Sequence, residues 1–151
     1  MTTLAEKFDH WAIYANAEDG EHRRAFQNTF YYGASSALVT MIKGNAPQTL
    51  DARKIHFTVL EMDGYRAMKQ GKGRWQAPAD DTRETTLEKE WLIGDEPKTE
   101  RHQDLFYGGA HSVLAIIVDE DSYRVDVRKI PVLVEEVDTF FEENPRETKD
   151  E

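Results

Sequence analysis

Apolar residues recur at helical spacing along most of the chain. In one stretch they fall at Phe26, Phe30, Ala37 and Met41, four or seven positions apart, as expected for one face of an α-helix. Residues 4–15 show a similar pattern and predict a shorter first helix. The pattern as a whole predicts a mainly α-helical fold.

Two blocks of the sequence occur twice. Residues 27–42 match residues 103–118 at seven of sixteen positions, and residues 53–65 match residues 128–140 at six of thirteen. The shifts are 76 (103 − 27) and 75 (128 − 53) positions. A recurring block of this kind indicates a repeated structural unit. We therefore predict an internal duplication, with two three-helix units packed around a pseudo-two-fold axis.

The third segment of each unit has an amphipathic pattern. In the first copy Ile55, Val59 and Met62 share one predicted helical face. Asp51 in the first copy and Asp126 in the second precede these helices and are predicted to cap them. A Trp-bearing segment opens each unit.

Gly33 and Gly109 occupy matching positions inside the predicted second helices. A glycine in a helix interior costs about 1 kcal/mol relative to alanine. Its presence in both copies predicts that the two helices approach closely there. One region has an alternative reading, because residues 113–127 also fit a short β-hairpin.

The predicted boundaries follow from the repeat. Residues 1–68 form the first unit, and residues 86–141 form the second. Residues 69–85, rich in Gly, Lys, Asp and Pro, are predicted to be a linker, and residues 142–151 an acidic tail. We expect one compact fold overall.

Composition narrows the classes of function. The chain has 29 acidic and 19 basic residues and a formal net charge of −10, which disfavours binding to nucleic acid or anionic membranes. It has no cysteine and no secretory signal pattern. We expect a cytoplasmic protein whose protein partner, if it has one, presents a basic surface.

The Phe-Tyr-x-Gly-Ala core supports a family resemblance. Phe30, Tyr31 and Gly33 in the first copy, and Phe106 and Tyr107 in the second, resemble a helix found in small proteins of tailed bacteriophages and prophages. Those proteins carry one such unit, whereas this chain has two. The resemblance implies a viral origin, and by analogy with phage accessory proteins it implies inhibition of a host factor.

Catalytic motifs are not evident. None of the five histidines has the spacing of a metal site, and no nucleophile elbow or phosphate-binding glycine loop occurs. We expect no enzymatic activity and no cofactor.

Basic pairs at matching positions and nearby aromatic residues remain as binding candidates. Such a set suits a nucleobase and its phosphates. The candidate residues are Arg53, Lys54, Arg128, Lys129, Tyr31, Tyr107 and His111. Packing and surface salt bridges are the alternative roles for these residues.

Three hypotheses follow for function. The first is a non-enzymatic, phage-type protein that binds and inhibits a host defence factor. The second is a protein that binds a small molecule, such as a nucleotide signal. The third is a structural or assembly module that forms a homo-oligomer through its small-residue helices.

Overall fold

The computed structural model of the chain describes residues 2–14, 20–43, 46–73, 75–118 and 124–144. Most of these residues are helical, which confirms the mainly α fold. The elements in chain order are α1 (Leu4–Tyr14), α2 (Gly20–Met41), β1 (Ile42–Lys43), β2 (Ala46–Leu50), α3 (Ala52–Lys69), α4 (Leu87–Ile93), α5 (Glu100–Ile117) and α6 (Lys129–Glu143).

Side-chain caps fix the starts of several helices. The Asp51 carboxylate accepts hydrogen bonds from the backbone N–H groups of Arg53 and Lys54, so the predicted cap of α3 is confirmed. Thr86 and Thr99 cap α4 and α5 in the same manner.

The predicted cap of α6 needs correction. Asp126 accepts a hydrogen bond from the Arg128 backbone N–H at 3.1 Å. The residue that directly precedes the helix, however, is Arg128, and its side chain makes no capping bond. Asp126 therefore stabilises the turn before α6 rather than the helix terminus itself.

The core is built where α2 crosses α5. A Cβ atom added to Gly33 would lie 1.9 Å from the carbonyl oxygen of Phe106, and one added to Gly109 would lie 1.9 Å from that of Phe30. No side chain fits at either position, so the predicted close backbone approach is confirmed. Phe30 and Phe106 are themselves completely buried beside the crossing.

Each third helix packs an aromatic ring on the second helix of the opposite half of the sequence. Tyr31 of α2 stacks on Phe140 of α6, with ring centroids 3.9 Å apart and planes inclined by 6°. Tyr107 of α5 stacks on Tyr65 of α3, also at 3.9 Å, with an 11° inclination. The two halves are thus interlocked rather than laid side by side.

Two glutamates accept hydrogen bonds from the N-termini of helices in the opposite half of the sequence. The carboxylate of Glu61, in α3, accepts the backbone N–H groups of Leu87 and Glu88, each at 2.9 Å. The carboxylate of Glu136, in α6, accepts those of Leu4 and Ala5 at 2.9 and 3.0 Å. Negative charge at a helix N-terminus is favourable, because the free N–H groups can donate to it and the positive end of the helix dipole lies there.

The buried face of α3 agrees only in part with the predicted one, because Met62 is buried and Ile55 packs against the core. Val59 is exposed, whereas Lys54, Thr58 and Glu61 are buried. These polar groups are partnered, since Lys54 Nζ donates to the carbonyl of Ile42 at 2.9 Å and Thr58 bonds the backbone of Lys54. The inward face of α3 therefore combines apolar side chains with hydrogen-bonded polar ones, and hydrophobic periodicity does not reveal the polar part.

Over residues 113–117 the helical prediction is confirmed, because α5 continues to Ile117. The alternative of a β-hairpin over residues 113–127 is therefore wrong for its first strand. A single antiparallel bridge joins Val118 to Val125, and residues 119–123 lie outside the described part of the chain. The sequence did not indicate the short antiparallel pair β1–β2, which precedes α3. In the acidic tail, α6 includes Glu142 and Glu143, and residues 145–151 lie outside the described part.

The segment between α3 and α4 has no helix or strand among its described residues, and it contributes a buried charge. The side chain of Arg83 is fully buried and donates to Glu61 at 2.7 Å and to Asp81 at 2.9 Å. Arg83 thereby fixes this segment against α3. The division into domains stays a prediction.

Candidate ligand-binding pocket

A cavity of about 450 Å³ opens between α1, α3 and α5. This volume lies within the range of small-molecule sites, which measure roughly 300–1,000 Å³. Its lining combines three aromatic side chains with four that carry or can acquire positive charge. The aromatic residues are Trp11, Tyr65 and Tyr107, and the basic ones are His10, Arg66, Lys69 and His111.

The aromatic wall consists of closely packed side chains. Tyr65 and Tyr107 are stacked on each other, and Tyr107 is buried. Trp11 approaches α5 at Gly108, where an added Cβ would lie only 2.9 Å from the indole Cε2. Glycine at this position lets the indole reach the helix backbone and close one end of the pocket.

Arg66 carries the most distinctive polar contact of the pocket. Its guanidinium lies 3.0 Å from Nδ1 and 3.2 Å from Nε2 of His111. No carboxylate of the described residues lies within ion-pair distance of Arg66. Because arginine can only donate, the ring nitrogen that accepts must be unprotonated.

The His111 imidazole is held in its neutral form. Burial lowers the pKa of His111 below its ordinary value, and the charges of Arg66 and Lys7 lower this pKa further, while Asp63 opposes them. The pocket therefore places the fixed cation of Arg66 beside a neutral, titratable histidine.

Lys69 is the second permanent cation, and it is shared with two carboxylates. Its ammonium lies 2.6 Å from Glu100 and 3.2 Å from Asp104, and the hydrogen bond with Glu100 raises the pKa of Lys69. Asp104 also accepts a hydrogen bond from the Tyr65 hydroxyl. Burial and this bond raise the pKa of Tyr65, so Tyr65 is a neutral donor.

Two of the seven residues predicted from the sequence line this pocket, namely Tyr107 and His111. Tyr31 does not line it, because it is buried against Phe140 and its hydroxyl donates to Glu136 at 3.3 Å. Burial raises the pKa of Tyr31, and the charge of Glu136 raises it further.

The predicted basic pairs are also placed elsewhere. Arg53 is exposed and borders a separate cavity of about 380 Å³, while Lys54 is buried on the carbonyl of Ile42. Arg128 is exposed and paired with Asp126, and Lys129 is the first residue of α6. None of these four side chains lines the pocket of Tyr107 and His111.

The sequence reasoning missed Arg66, Lys69, His10 and Trp11 as pocket residues. Arg66 and Lys69 stand one turn apart on α3, directly after Tyr65, which is a signal that could have been used. Repetition does not reveal Arg66 and Lys69, because by the 75-residue shift they correspond to Phe141 and Asn144.

Comparison with known proteins gives no match: no family model, no curated protein and no solved structure is significantly similar to this chain. Within the described ranges, no helix is long and apolar enough to cross a membrane. The same residues contain no group of three or more His, Asp or Glu side chains placed to hold a metal ion.

Proposed function

We propose that the pocket between α1, α3 and α5 binds a small anion that carries an aromatic ring, such as a nucleotide. The observation that carries this proposal is the arrangement of Arg66. In a chain with 29 acidic residues, this guanidinium faces a neutral histidine inside an aromatic-lined cavity instead of a carboxylate. A phosphate could take two of its hydrogen bonds at once.

The remaining lining residues suit the same ligand. Tyr107, Tyr65 and Trp11 offer aromatic surface against which a base can pack. Lys69 adds a positive charge next to Arg66, and His111 adds another if it takes up a proton. Asp104 could accept a hydrogen bond from an amino or hydroxyl group of the ligand.

The basic set of the pocket has no counterpart at the pseudo-symmetric position of the chain. By the shifts of 75 and 76 positions, Arg66 corresponds to Phe141 and His111 corresponds to Ser35. If the chain is duplicated, the pocket formed by Arg66 of the first copy and His111 of the second is therefore not matched by an equivalent charged pocket. We therefore expect one ligand per chain.

Calorimetric titration with linear and cyclic nucleotides tests the proposal. We expect saturable binding of one nucleotide per chain and much weaker binding of the matching uncharged nucleoside. Arg66→Gln should weaken the affinity at least about tenfold, because a hydrogen bond to a charged group contributes about 1.5–3 kcal/mol.

Arg53→Gln and Arg128→Gln are matched controls, since each removes one exposed arginine that does not line the pocket. They should leave the affinity unchanged, although the sequence alone favoured both as ligand anchors. Absence of heat with every nucleotide, or an unaltered affinity in Arg66→Gln, would remove the proposal.

We also propose that the fold is an internal duplication with a pseudo-two-fold axis. Reciprocal contacts support it: Gly33 approaches Phe106 as Gly109 approaches Phe30. The contacts of the first helices agree, because Phe8 packs on Phe30 and Trp91 packs on Phe106. Under this symmetry, the residue equivalent to Trp91 would be Phe8 and not Trp11.

Inhibition of a basic host factor by a phage protein in the host cytoplasm stays our second proposal. The net charge of −10 favours it, because such a field steers basic partners at low salt and is screened at high salt. Affinity capture from bacterial lysate at two salt concentrations tests it. A partner retained equally well at both would contradict recognition by charge.

A further inference from the structure

The pocket between α1, α3 and α5 has two polar ends. At one end the Arg66 guanidinium contacts His111, and at the other the Lys69 ammonium lies 3.2 Å from the Asp104 carboxylate. Asp104 and His111 both belong to α5 and are seven residues apart (111 − 104), which separates them by roughly 10 Å along the helix axis. A nucleotide has a similar length between its phosphate and the far edge of its base.

The Asp104 carboxylate has acceptor capacity to spare. An ionised carboxylate offers about four lone-pair positions. Oδ1 of Asp104 accepts the hydrogen bond of the Tyr65 hydroxyl and lies beside the Lys69 ammonium, while Oδ2 makes no hydrogen bond to any residue that the structure describes. The Asp104 side chain lines the pocket and is 28% exposed. About two of its acceptor positions therefore remain for a ligand.

The Lys69 ammonium places a donor next to these acceptors. It has three N–H groups, and in the described part of the chain its carboxylate partners are Glu100 at 2.6 Å and Asp104 at 3.2 Å. One N–H group thus remains for a ligand, and the Lys69 side chain also lines the pocket. The Lys69–Asp104 pair therefore presents one donor beside two acceptors.

We propose that the Lys69–Asp104 pair selects guanine, so that the ligand of the pocket is a guanine nucleotide. The edge of guanine presents the acceptor O6 followed by two adjacent donors, N1–H and the 2-amino group. O6 would accept from Lys69, and the two donors would bind the Asp104 carboxylate. The selection of guanine rests on the proposed nucleotide site and adds the identity of the base.

The other common bases do not match this pattern. Adenine and cytosine each present an amino donor beside a ring nitrogen that only accepts, so the amino group would face Lys69 and the ring nitrogen would face Asp104. Uracil has a single N–H between two carbonyl groups, one of which would lie against the carboxylate. A site that can hydrogen-bond a ligand N–H discriminates strongly against an analogue that lacks this group.

Guanosine, inosine and adenosine 5′-monophosphates test the selection, because they differ only in the groups on the purine. Calorimetric titration of the full chain at fixed ionic strength should show guanosine monophosphate binding at least about tenfold more tightly than adenosine monophosphate. Inosine monophosphate keeps O6 and N1–H but lacks the 2-amino group, so its affinity should be intermediate. The same series as 3′,5′-cyclic monophosphates tests the cyclic ligands.

The outcomes separate the base from the pocket. Equal affinity for the three nucleotides, or a preference for adenosine, would overturn the selection of guanine and leave the proposed anion pocket standing. No binding of any nucleotide in either series would overturn both. This comparison changes the ligand and leaves the protein intact, so it does not depend on the folding of a variant.

Asp104→Asn assigns the selection to this side chain, because it replaces one acceptor by a donor at nearly constant size. The variant should bind guanosine monophosphate at least about tenfold more weakly than the native chain does. It should instead prefer xanthosine monophosphate, in which a carbonyl oxygen replaces the 2-amino group and can accept from the new amide. A folded variant, checked by circular dichroism, that keeps the native preference for guanosine monophosphate would overturn the role of Asp104.

Glu100→Gln is the matched control, since Glu100 also accepts a hydrogen bond from Lys69 but does not line the pocket. It should leave the ratio of the guanosine and adenosine monophosphate affinities unchanged. Arg66→Gln should weaken both nucleotides by a similar factor, because it acts at the phosphate end, and should also keep this ratio. Loss of the guanine preference in Arg66→Gln would overturn the placement of the base at Asp104.

Discussion

Glu61 and Glu136 each hold the first turn of a helix that belongs to the opposite half of the sequence. Glu61 in α3 binds the start of α4, and Glu136 in α6 binds the start of α1. They differ in surroundings, because Glu61 is 2% exposed and also pairs with the buried Arg83, whereas Glu136 is only half-buried. The same contact should therefore contribute differently to stability.

We expect Glu61→Ala to lower the free energy of unfolding by about 3–5 kcal/mol, because it leaves the Arg83 charge buried without this partner. Glu136→Ala should lower it by about 0.5–2 kcal/mol, as for loss of a helix cap. Urea denaturation measures both. Glu135→Ala is the control, since this neighbouring side chain is exposed, and a Glu61→Ala variant as stable as that control would contradict the assignment.

Gly109→Ala should destabilise the protein, contrary to the usual effect in a helix. Alanine normally stabilises a helix interior by about 0.5–1 kcal/mol relative to glycine. Here the added Cβ would meet the Phe30 carbonyl oxygen, so α2 and α5 must separate. We expect a loss of about 1–3 kcal/mol, measured by thermal and urea denaturation.

Ala115→Leu provides the comparison for Gly109→Ala. It adds volume to the same helix at a half-buried position away from the glycine contact. Its stability should change by less than that of Gly109→Ala. A Gly109→Ala variant more stable than the native chain would show that the helices do not cross as closely as described.

These two contacts illustrate what the sequence could and could not predict. The glycine contact was predictable, because Gly33 and Gly109 interrupt a helical pattern at matching positions. The role of Glu61 was not, because a glutamate in a surface helix is ordinarily solvated. Its partners, Arg83 and the start of α4, come from a segment without regular apolar spacing.

In the candidate pocket, too, some residues were predictable from the sequence and others were not. Tyr107 and His111 were predicted because Tyr107 belongs to the repeated motif and His111 directly follows it. Arg66 has no counterpart in the second copy, and Trp11 reaches the site only through the packing of α1 against Gly108. Long-range packing of this kind has no signature in local periodicity.

Acidification should destabilise the ligand-free protein through His111. The pKa of this imidazole is lowered in the folded state, so the unfolded chain binds the proton more readily. Stability should therefore fall as the pH drops through the ordinary histidine value of about 6.5 toward the lower folded value. The groups that face His111 are Arg66 and Lys7, which strengthen the effect, and Asp63, which weakens it.

His111→Gln isolates this contribution, because glutamine can accept the Arg66 hydrogen bond and does not titrate. Its unfolding free energy, measured from about pH 7.5 to about pH 5.5, should decrease less than that of the native chain. His102 also has a lowered pKa, caused by burial, and it contributes equally to both proteins. Parallel curves would contradict the role of His111.

Ligand affinity should have the opposite pH dependence. An anion next to Arg66 favours the protonated form of His111, so binding takes up a proton and strengthens as the pH falls. Calorimetry in buffers of different ionisation enthalpy should detect this uptake. His111→Gln should bind with little proton uptake, and an affinity that decreases toward low pH in the native chain would contradict the model.

A chain cut between Lys72 and Gly73 should reassemble from its two fragments. The cut lies in an exposed stretch of the segment between α3 and α4, ahead of Trp75 and Arg83. Separation of the fragments removes the α2–α5 crossing, both glutamate contacts to helix starts and both stacked aromatic pairs. A unit of this size rarely has a core worth more than about 3–5 kcal/mol. We expect circular dichroism to show that each fragment alone is largely unfolded and that the equimolar mixture regains helix.

Glu61→Ala in the first fragment should weaken the association of the fragments, because the partners of Glu61, Arg83 and Leu87, lie on the second fragment. Glu135→Ala in the second fragment should not weaken it. Fragments that each fold alone and remain apart would show that the contacts across the halves contribute little to stability.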